Sequence, residues 1–120
     1  MNKKIRVGII GTGNISTYHM AGYKKLSDKC EVVAVCDIDE QKVKSYAQKY
    51  DVKAYYTDYI RMLHENDLDA VSVCTWNSAH KDAVIAALNS KADVICEKPM
   101  AINRFEAFEM EQAAKRNNKL

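Results

Sequence analysis

No apolar run in the 120 residues approaches the roughly 20 that a membrane-spanning helix needs. Charge of one sign is not in excess either. Lys and Arg total 18 against 16 Asp and Glu, and a net charge of +2 makes no electrostatic case for nucleic acid. Basic residues gather at the ends, at Lys3-Lys4 and Lys115-Arg116, which read as solvated termini. There is no Cys-x-x-Cys pair. The cysteines are Cys30, Cys36, Cys74 and Cys96, three of them at the ends of apolar runs, a placement that suits reduced, buried residues better than disulfides or zinc ligands. Met1-Asn-Lys-Lys leads into a short strand with no leader-like apolar core or cleavage site. Internal repeats and low-complexity linkers are absent. What is left is one cytoplasmic domain, long enough for a real core and too short for two domains of ordinary size, with no metal, nucleic-acid or membrane partner expected.

What is present begins with Lys4 to Ser16, Lys-Ile-Arg-Val-Gly-Ile-Ile-Gly-Thr-Gly-Asn-Ile-Ser. Ile5, Val7, Ile9 and Ile10 form the nearly continuous apolar run of a strand buried on both faces. The run breaks at Gly11-Thr-Gly13, and an apolar helical period follows. Strand, glycine turn and helix start, in that order, are the context in which such a motif carries meaning. Gly11 lets the chain turn off the strand, and Gly13 has no side chain to keep a pyrophosphate from the backbone. The N–H groups and positive dipole end of the next helix then favour phosphate. Ser16 stands where a third glycine or alanine is usual. A second buried-strand run, Glu31-Val-Val-Ala-Val-Cys36, ends in Asp37, an acid about twenty residues past the glycines where a ribose-binding carboxylate belongs. Alone, Asp37 reads equally as the cap of the next helix. With the glycine turn it points to a dinucleotide site.

The rest alternates strand and helix. Ile15, Tyr18, His19, Gly22 and Leu26 recur at helical spacing, Ser27 to Cys30 reads as a loop, and strand two is Val32 to Cys36. A helix over Glu40 to Tyr50 places Val43, Tyr46, Ala47 and Tyr50 on one face. An extended piece from Lys53 to Tyr56 follows, then a small helix with Ile60 and Leu63, capped by Thr57 or Asp58. Asp69 to Thr75 is a strand whose exit loop, Trp76 to His80, has Asn77 or Ser78 as helix cap. Ala83, Val84, Ala87 and Leu88 mark the helix. Ala92 to Cys96 is the fifth strand and runs into Glu97-Lys98-Pro99. Asn103 with Glu106 is a capping box for a helix over Arg104 to Asn117. The expected fold class is α/β, a doubly wound parallel sheet in the order 3-2-1-4-5. The chain stops at Leu120, where a sixth strand would begin, so a truncated domain is expected. His19, His64 and the tyrosines between Tyr46 and Tyr59 read as helix-surface, helix–sheet seam or core-edge residues.

Three stretches together resemble the N-terminal domain of the Gfo/Idh/MocA oxidoreductases, the glucose–fructose oxidoreductase and inositol dehydrogenase family. They are Val7-Gly-Ile-Ile-Gly-Thr-Gly-Asn-Ile with Asp37, then Thr75-Trp-Asn77-Ser-Ala-His80, similar to the family's Thr-Pro-Asn-x-x-His loop, and Glu97-Lys98-Pro99. The resemblance covers nearly the whole chain. It implies that Gly11, Thr12, Gly13, Asn14 and Ile15 wrap the pyrophosphate and that Asp37 takes the adenosine ribose hydroxyls. A carboxylate there repels a 2′-phosphate and Ile38 offers no cation, which favours NAD over NADP. It further implies that Thr75, Asn77 and His80 line the nicotinamide-side edge of the crevice. Trp76 replaces the family's proline, with its ring near the nicotinamide ribose. Lys98 would be the catalytic residue, orienting the substrate oxygen, with Glu97 fixing that lysine and the cofactor. A cis Lys98–Pro99 bond is possible, since the penalty at X–Pro is only about 0.5–1 kcal/mol.

The function implied is hydride transfer between NAD(H) and a sugar, cyclitol or related polyol. A second domain, absent from this chain, would supply the substrate pocket, the acid–base residues and most contacts of a homo-oligomer, so the fragment would bind dinucleotide and turn over little. The competing readings are a dinucleotide-sensing regulatory module, a methyltransferase, which leaves Glu97-Lys98-Pro99 without a reason, and a reductase of another Rossmann family.

Overall fold

Five strands, β1 (Ile5–Ile10), β2 (Cys30–Cys36), β3 (Ala54–Tyr56), β4 (Ala70–Val73) and β5 (Asp93–Cys96), form one parallel sheet in the order β3-β2-β1-β4-β5. The molecule is described by a computed structural model covering residues 3–120. Met1 and Asn2, part of the stretch in which no leader was read, lie outside the described residues. Four helices link successive strands, α1 (Asn14–Lys25), α2 (Glu40–Tyr50), α3 (Tyr59–Glu65) and α4 (His80–Asn89), and α5 (Arg104–Asn117) follows β5. Among the described residues, no helix is long and apolar enough to cross a membrane.

Alternation along β1 divides the core. Ile9 faces one side, packing with Met20 of α1, Val35, and Val43, Tyr46 and Ala47 of α2. Ile10 faces the other, with Met62 of α3, Ala83, Val84, Ala87 and Leu88 of α4, and Met110 of α5. β1, β2 and β4 are therefore covered on both faces, which is why they read as apolar runs rather than alternating ones. The strand order reverses at β1, where the carboxyl ends of β1, β2 and β4 leave a crevice.

Most helix limits match the sequence reading, and each match has a cap behind it. The Asp39 carboxylate accepts the Lys42 N–H at 3.1 Å, Asp58 accepts the Ile60 N–H at 2.9 Å and Asn103 accepts the Glu106 N–H at 2.9 Å. The box at α5 is only half formed, because Glu106 turns to the N–H of Ile102 instead of returning to Asn103. Three expectations are corrected. Neither Asn77 nor Ser78 caps α4: Asn77–Ala79 forms a 3-10 turn that runs into α4 without a side-chain cap. β2 starts at Cys30, already paired with Ile5, not at Val32. The inward face of α1 carries Ser16, His19, Met20 and Tyr23, while Ile15, Tyr18 and Leu26 lie exposed. The chain end runs beside β5, where the Val94 N–H donates to the Leu120 carbonyl at 2.9 Å.

Candidate functional site

The glycine turn is built by backbone contacts that tolerate no side chain at its first position. Gly11 has φ +94°, and a Cβ there would stand 2.7 Å from the backbone carbonyl of Cys74. Its N–H donates to the Cys36 carbonyl at 2.8 Å, tying the turn to the end of β2. Gly13 is different: a Cβ there would meet only the Lys42 ammonium, at 3.8 Å. Gly13 is also the cap residue of α1, which has neither a side-chain cap nor an acid in its first turn. The Ser16 N–H is taken by the Gly13 carbonyl at 3.1 Å, which leaves the N–H groups of Asn14 and Ile15 without a side-chain cap at the positive end of the helix. Ser16 is fully buried, a small residue that lets α1 lie close to the sheet, and its hydroxyl bonds the Gly13 carbonyl at 2.6 Å within the same turn. Asn14 and Ile15 are exposed on the same first turn.

Asp37 follows β2 directly, and its carboxylate is already oriented. Thr12 donates its backbone N–H at 2.9 Å and its hydroxyl at 2.8 Å to Oδ2, and the Asp39 N–H reaches Oδ1 at 3.1 Å. Burial would raise this carboxyl's pKa. The N–H groups of Thr12 and Asp39, the Thr12 hydroxyl and the Lys42 charge outweigh burial and hold it below its ordinary value. Thr12 thus turns inward to serve Asp37, a different task from the pyrophosphate contact expected of it. Lys42, which the sequence reading passed over, brings its ammonium to 3.9 Å from Asp37.

These groups open onto a cavity of about 320 Å³ lined by Gly11, Gly13, Asp37, Ile38 and Lys42, with Tyr59, Thr75 and Trp76 opposite. Trp76 is 83% exposed and lies with Asp37 and Ile38. Thr75 and Trp76 leave β4, across β1 from the β2 end that carries Asp37, so both face the carboxylate over this cavity. His80 does not line it. It is 1% exposed, and its ring nitrogens lie 2.9 Å from the Thr75 and Pro99 carbonyls, so it ties the β4 exit loop to the β5 exit instead of lining the crevice. The side-chain oxygen of Asn77, in that same loop, is buried without a hydrogen-bond partner.

Glu97 extends β5, its N–H donating to the Val73 carbonyl at 3.0 Å. Lys98 is exposed, and the Lys98–Pro99 bond is cis. The Glu97 carboxylate meets His19 Nε2 at 2.9 Å, and this hydrogen bond is the first cause of its lowered pKa. His19 does lie at the helix–sheet seam, yet sequence reasoning gave it no task. The available signal was Ser72, a hydroxyl in an otherwise apolar strand, because a buried Ser needs partners. Burial pushes the Cys36 and Cys74 thiols up to about 12 and Cys96 to about 11.

An open, uncapped helix end beside a pre-oriented carboxylate fits a dinucleotide: phosphates at α1 and ribose hydroxyls at Asp37. Comparison with known proteins agrees. Residues 5–120 match the family model described as "Oxidoreductase family, NAD-binding Rossmann fold". The chain is 34% identical over 116 residues to inositol 2-dehydrogenase of Salmonella typhimurium, covering 96% of this chain and 34% of that protein. It is 31% identical over 112 residues to myo-inositol 2-dehydrogenase of Thermotoga maritima, covering 93% and 33%. Among solved structures, the WlbA dehydrogenase of Bordetella pertussis in complex with NADH and UDP-GlcNAcA superposes with a TM-score of 0.92 at 25% identity, covering 98% of this chain and 36% of that one. Myo-inositol 2-dehydrogenase of Lactobacillus plantarum gives 0.89 at 27% identity, covering 98% and 35%. The chain spans about a third of the length of the curated relatives it matches. With the glycine turn, Asp37 and Glu97-Lys98-Pro99 in place, this chain belongs to the Gfo/Idh/MocA oxidoreductase family and forms its NAD-binding Rossmann domain.

Proposed function

We propose that the protein is an NAD-dependent dehydrogenase acting on a cyclitol, sugar or related polyol. This chain is its dinucleotide-binding domain, and a second domain supplies the substrate pocket, the acid–base residues and the contacts of a homo-oligomer. The observation that carries this reading is the placement of the glycine turn, Asp37 and Glu97-Lys98 at the carboxyl ends of β1, β2 and β5 in one sheet. The inositol dehydrogenases among the relatives support the substrate class. Four free thiols, those of Cys30, Cys36 and Cys74 buried and that of Cys96 partly so, fit a reducing, cytoplasmic setting.

Gly11, Gly13, Asn14 and Ile15 shape the pyrophosphate seat, with Thr12 setting Asp37 toward the adenosine ribose. Thr75, Trp76, Asn77 and His80 form and brace the wall across from it. When bound, NAD supplies the hydride acceptor. The chain's own chemical contribution is Lys98. Its ammonium, projecting beside the reacting carbinol, orients the oxygen and supports its changing charge, with Glu97 next to it. An intact Glu97-Lys98-Pro99 and oxidoreductase relatives favour this over a sensing module, and a methyltransferase would have no use for that turn.

The test is NAD reduction by the intact protein with a panel of inositols and sugar acids, beside Lys98→Ala. Turnover of one class that falls ~100-fold or more in the variant supports the reading. Tight NAD binding with no turnover across the panel would favour the sensing module.

A further inference from the structure

A string of polar side chains crosses the seam between α1 and the sheet, where the neighbours are otherwise apolar. Tyr23 OH lies 2.5 Å from Ser72 Oγ, Ser72 Oγ lies 3.0 Å from His19 Nδ1, and His19 Nε2 lies 2.9 Å from Glu97 Oε1. Ser72 is fully buried, and the side chains of His19 and Glu97 are 13% and 26% exposed. A fully buried hydroxyl in register with Ile9 is costly unless bonded, and both of its partners come from one face of α1.

The partners also fix who donates. Glu97 is an ionised acceptor, since the His19 bond, working against some burial and helped by nearby charge, lowers its pKa. His19 Nε2 therefore carries the hydrogen. If the ring is neutral, Nδ1 accepts from Ser72, and Ser72 in turn accepts from Tyr23, so that every group has one consistent role. A doubly protonated ring would donate to Ser72 from Nδ1 and leave the hydrogen of either Ser72 or Tyr23 without an acceptor in this string. On the other side of the turn, His80 Nδ1 meets the Pro99 carbonyl at 2.9 Å. Lys98 thus projects from a bend held on both flanks by imidazoles of α1 and α4.

We propose that His19 is a positioning residue. Its Nε2–H, oriented by Ser72 and Tyr23, holds the Glu97 carboxylate at the end of β5 and so sets where the Lys98 ammonium stands. This rests on the proposed role of Lys98 at the substrate. His19 itself touches no reacting atom. Because the link spans 78 residues of sequence, from the first helix to the fifth strand, the placement of Lys98 depends on how α1 docks.

The test uses the intact protein with NAD and myo-inositol as probe substrate. Nitrogen-15 spectra of its histidines report the tautomer directly, and the neutral Nε2–H form is expected for His19, with its bias reduced in Ser72→Ala. In His19→Leu, kcat is expected to fall about 10- to 100-fold while NADH affinity, read by fluorescence titration, stays within about threefold. His19→Gln, which returns an N–H donor at similar reach, should recover most of the loss. If His19→Leu does not fold, the Gln variant and Ser72→Ala carry the comparison. An Nδ1–H tautomer, unchanged kcat in His19→Leu, or no recovery with Gln overturns the proposal. Lys98→Ala run in parallel separates the two ideas. Lost turnover there with full turnover in His19→Leu removes only the positioning role. Full turnover in Lys98→Ala, or no turnover by the wild type, removes the reading of the reaction and this proposal with it.

Discussion

Thr12 gives both its backbone N–H and its hydroxyl to a single oxygen of Asp37, at 2.9 and 2.8 Å. The glycine turn and the ribose carboxylate are therefore one unit: the residue between the two glycines fixes the rotamer of the acid at the end of the next strand. Thr12→Val keeps the N–H and loses the hydroxyl. A bond of this kind contributes roughly 1 kcal/mol to the folded state, so the melting temperature should fall by a few degrees, and the Asp37 carboxylate, no longer held in one rotamer, should bind NAD more weakly. A calorimetric titration reads both the affinity and any change in binding enthalpy.

Lys42 stands 3.9 Å from Asp37 and half-exposed, so the cation that a 2′-phosphate would need is present but paired with the carboxylate. Asp37→Ser should weaken NAD binding and admit NADP, narrowing the preference at least about tenfold, the effect of removing one like charge beside the phosphate. Adding Lys42→Ala should abolish the gain. Unchanged NADP affinity in Asp37→Ser would show that Lys42 does not reach the ribose.

Gly11→Ala forces a side chain to φ +94° and a Cβ to within 2.7 Å of the Cys74 backbone, which cannot move without breaking the β1–β4 ladder. Left-handed strain alone costs about 1–2 kcal/mol, and the clash adds to it. The melting temperature should fall by several degrees, whereas Gly13→Ala, with only the Lys42 ammonium nearby, should fold normally and lose dinucleotide affinity. Denaturation and titration of both variants separate the two roles.

Burial holds Cys36 and Cys74 protonated to about pH 12. Thiols of the unfolded chain ionise near pH 8.5, so between those values the unfolded state carries fewer protons than the folded one. The stability this contributes is complete below about pH 8.5 and is lost as pH rises toward 12. At pH 8 the native thiolate population at these sites is on the order of a thousandfold below that of the unfolded chain. Alkylation of Cys36 and Cys74 should be slow in buffer and rapid in urea, with native reactivity rising only in strong alkali.

The sheet order and nearly every helix were legible in the sequence, because parallel strands buried on both faces leave unbroken apolar runs and the helices between them carry Asp and Asn caps. The face of α1 was not. Its inward side includes Ser16, which bonds Gly13 within its own turn, and His19 and Tyr23, polar residues at home there only because Glu97 and Ser72 wait for them across the fold. Spacing alone ranked Ile15, Tyr18 and Leu26 higher. His80 was misplaced for the same reason. Its two carbonyl partners belong to Thr75 and to Pro99, and the latter lies 19 residues on, beyond any local pattern. Lys42 was hidden because a lysine in the first turn of an exposed helix looks like every other one. Residues whose task is set by a neighbour in sequence were readable, and those set by a neighbour in space were not.

The central claim is that the glycine turn and Asp37 form a site for NAD. The direct measurement is a calorimetric titration of the protein with NAD, with Asp37→Ala measured alongside. Loss of the ribose hydrogen bonds should weaken binding about 10- to 100-fold while the fold stays intact. NAD binding of equal strength in both proteins, or none in the intact protein, would contradict it.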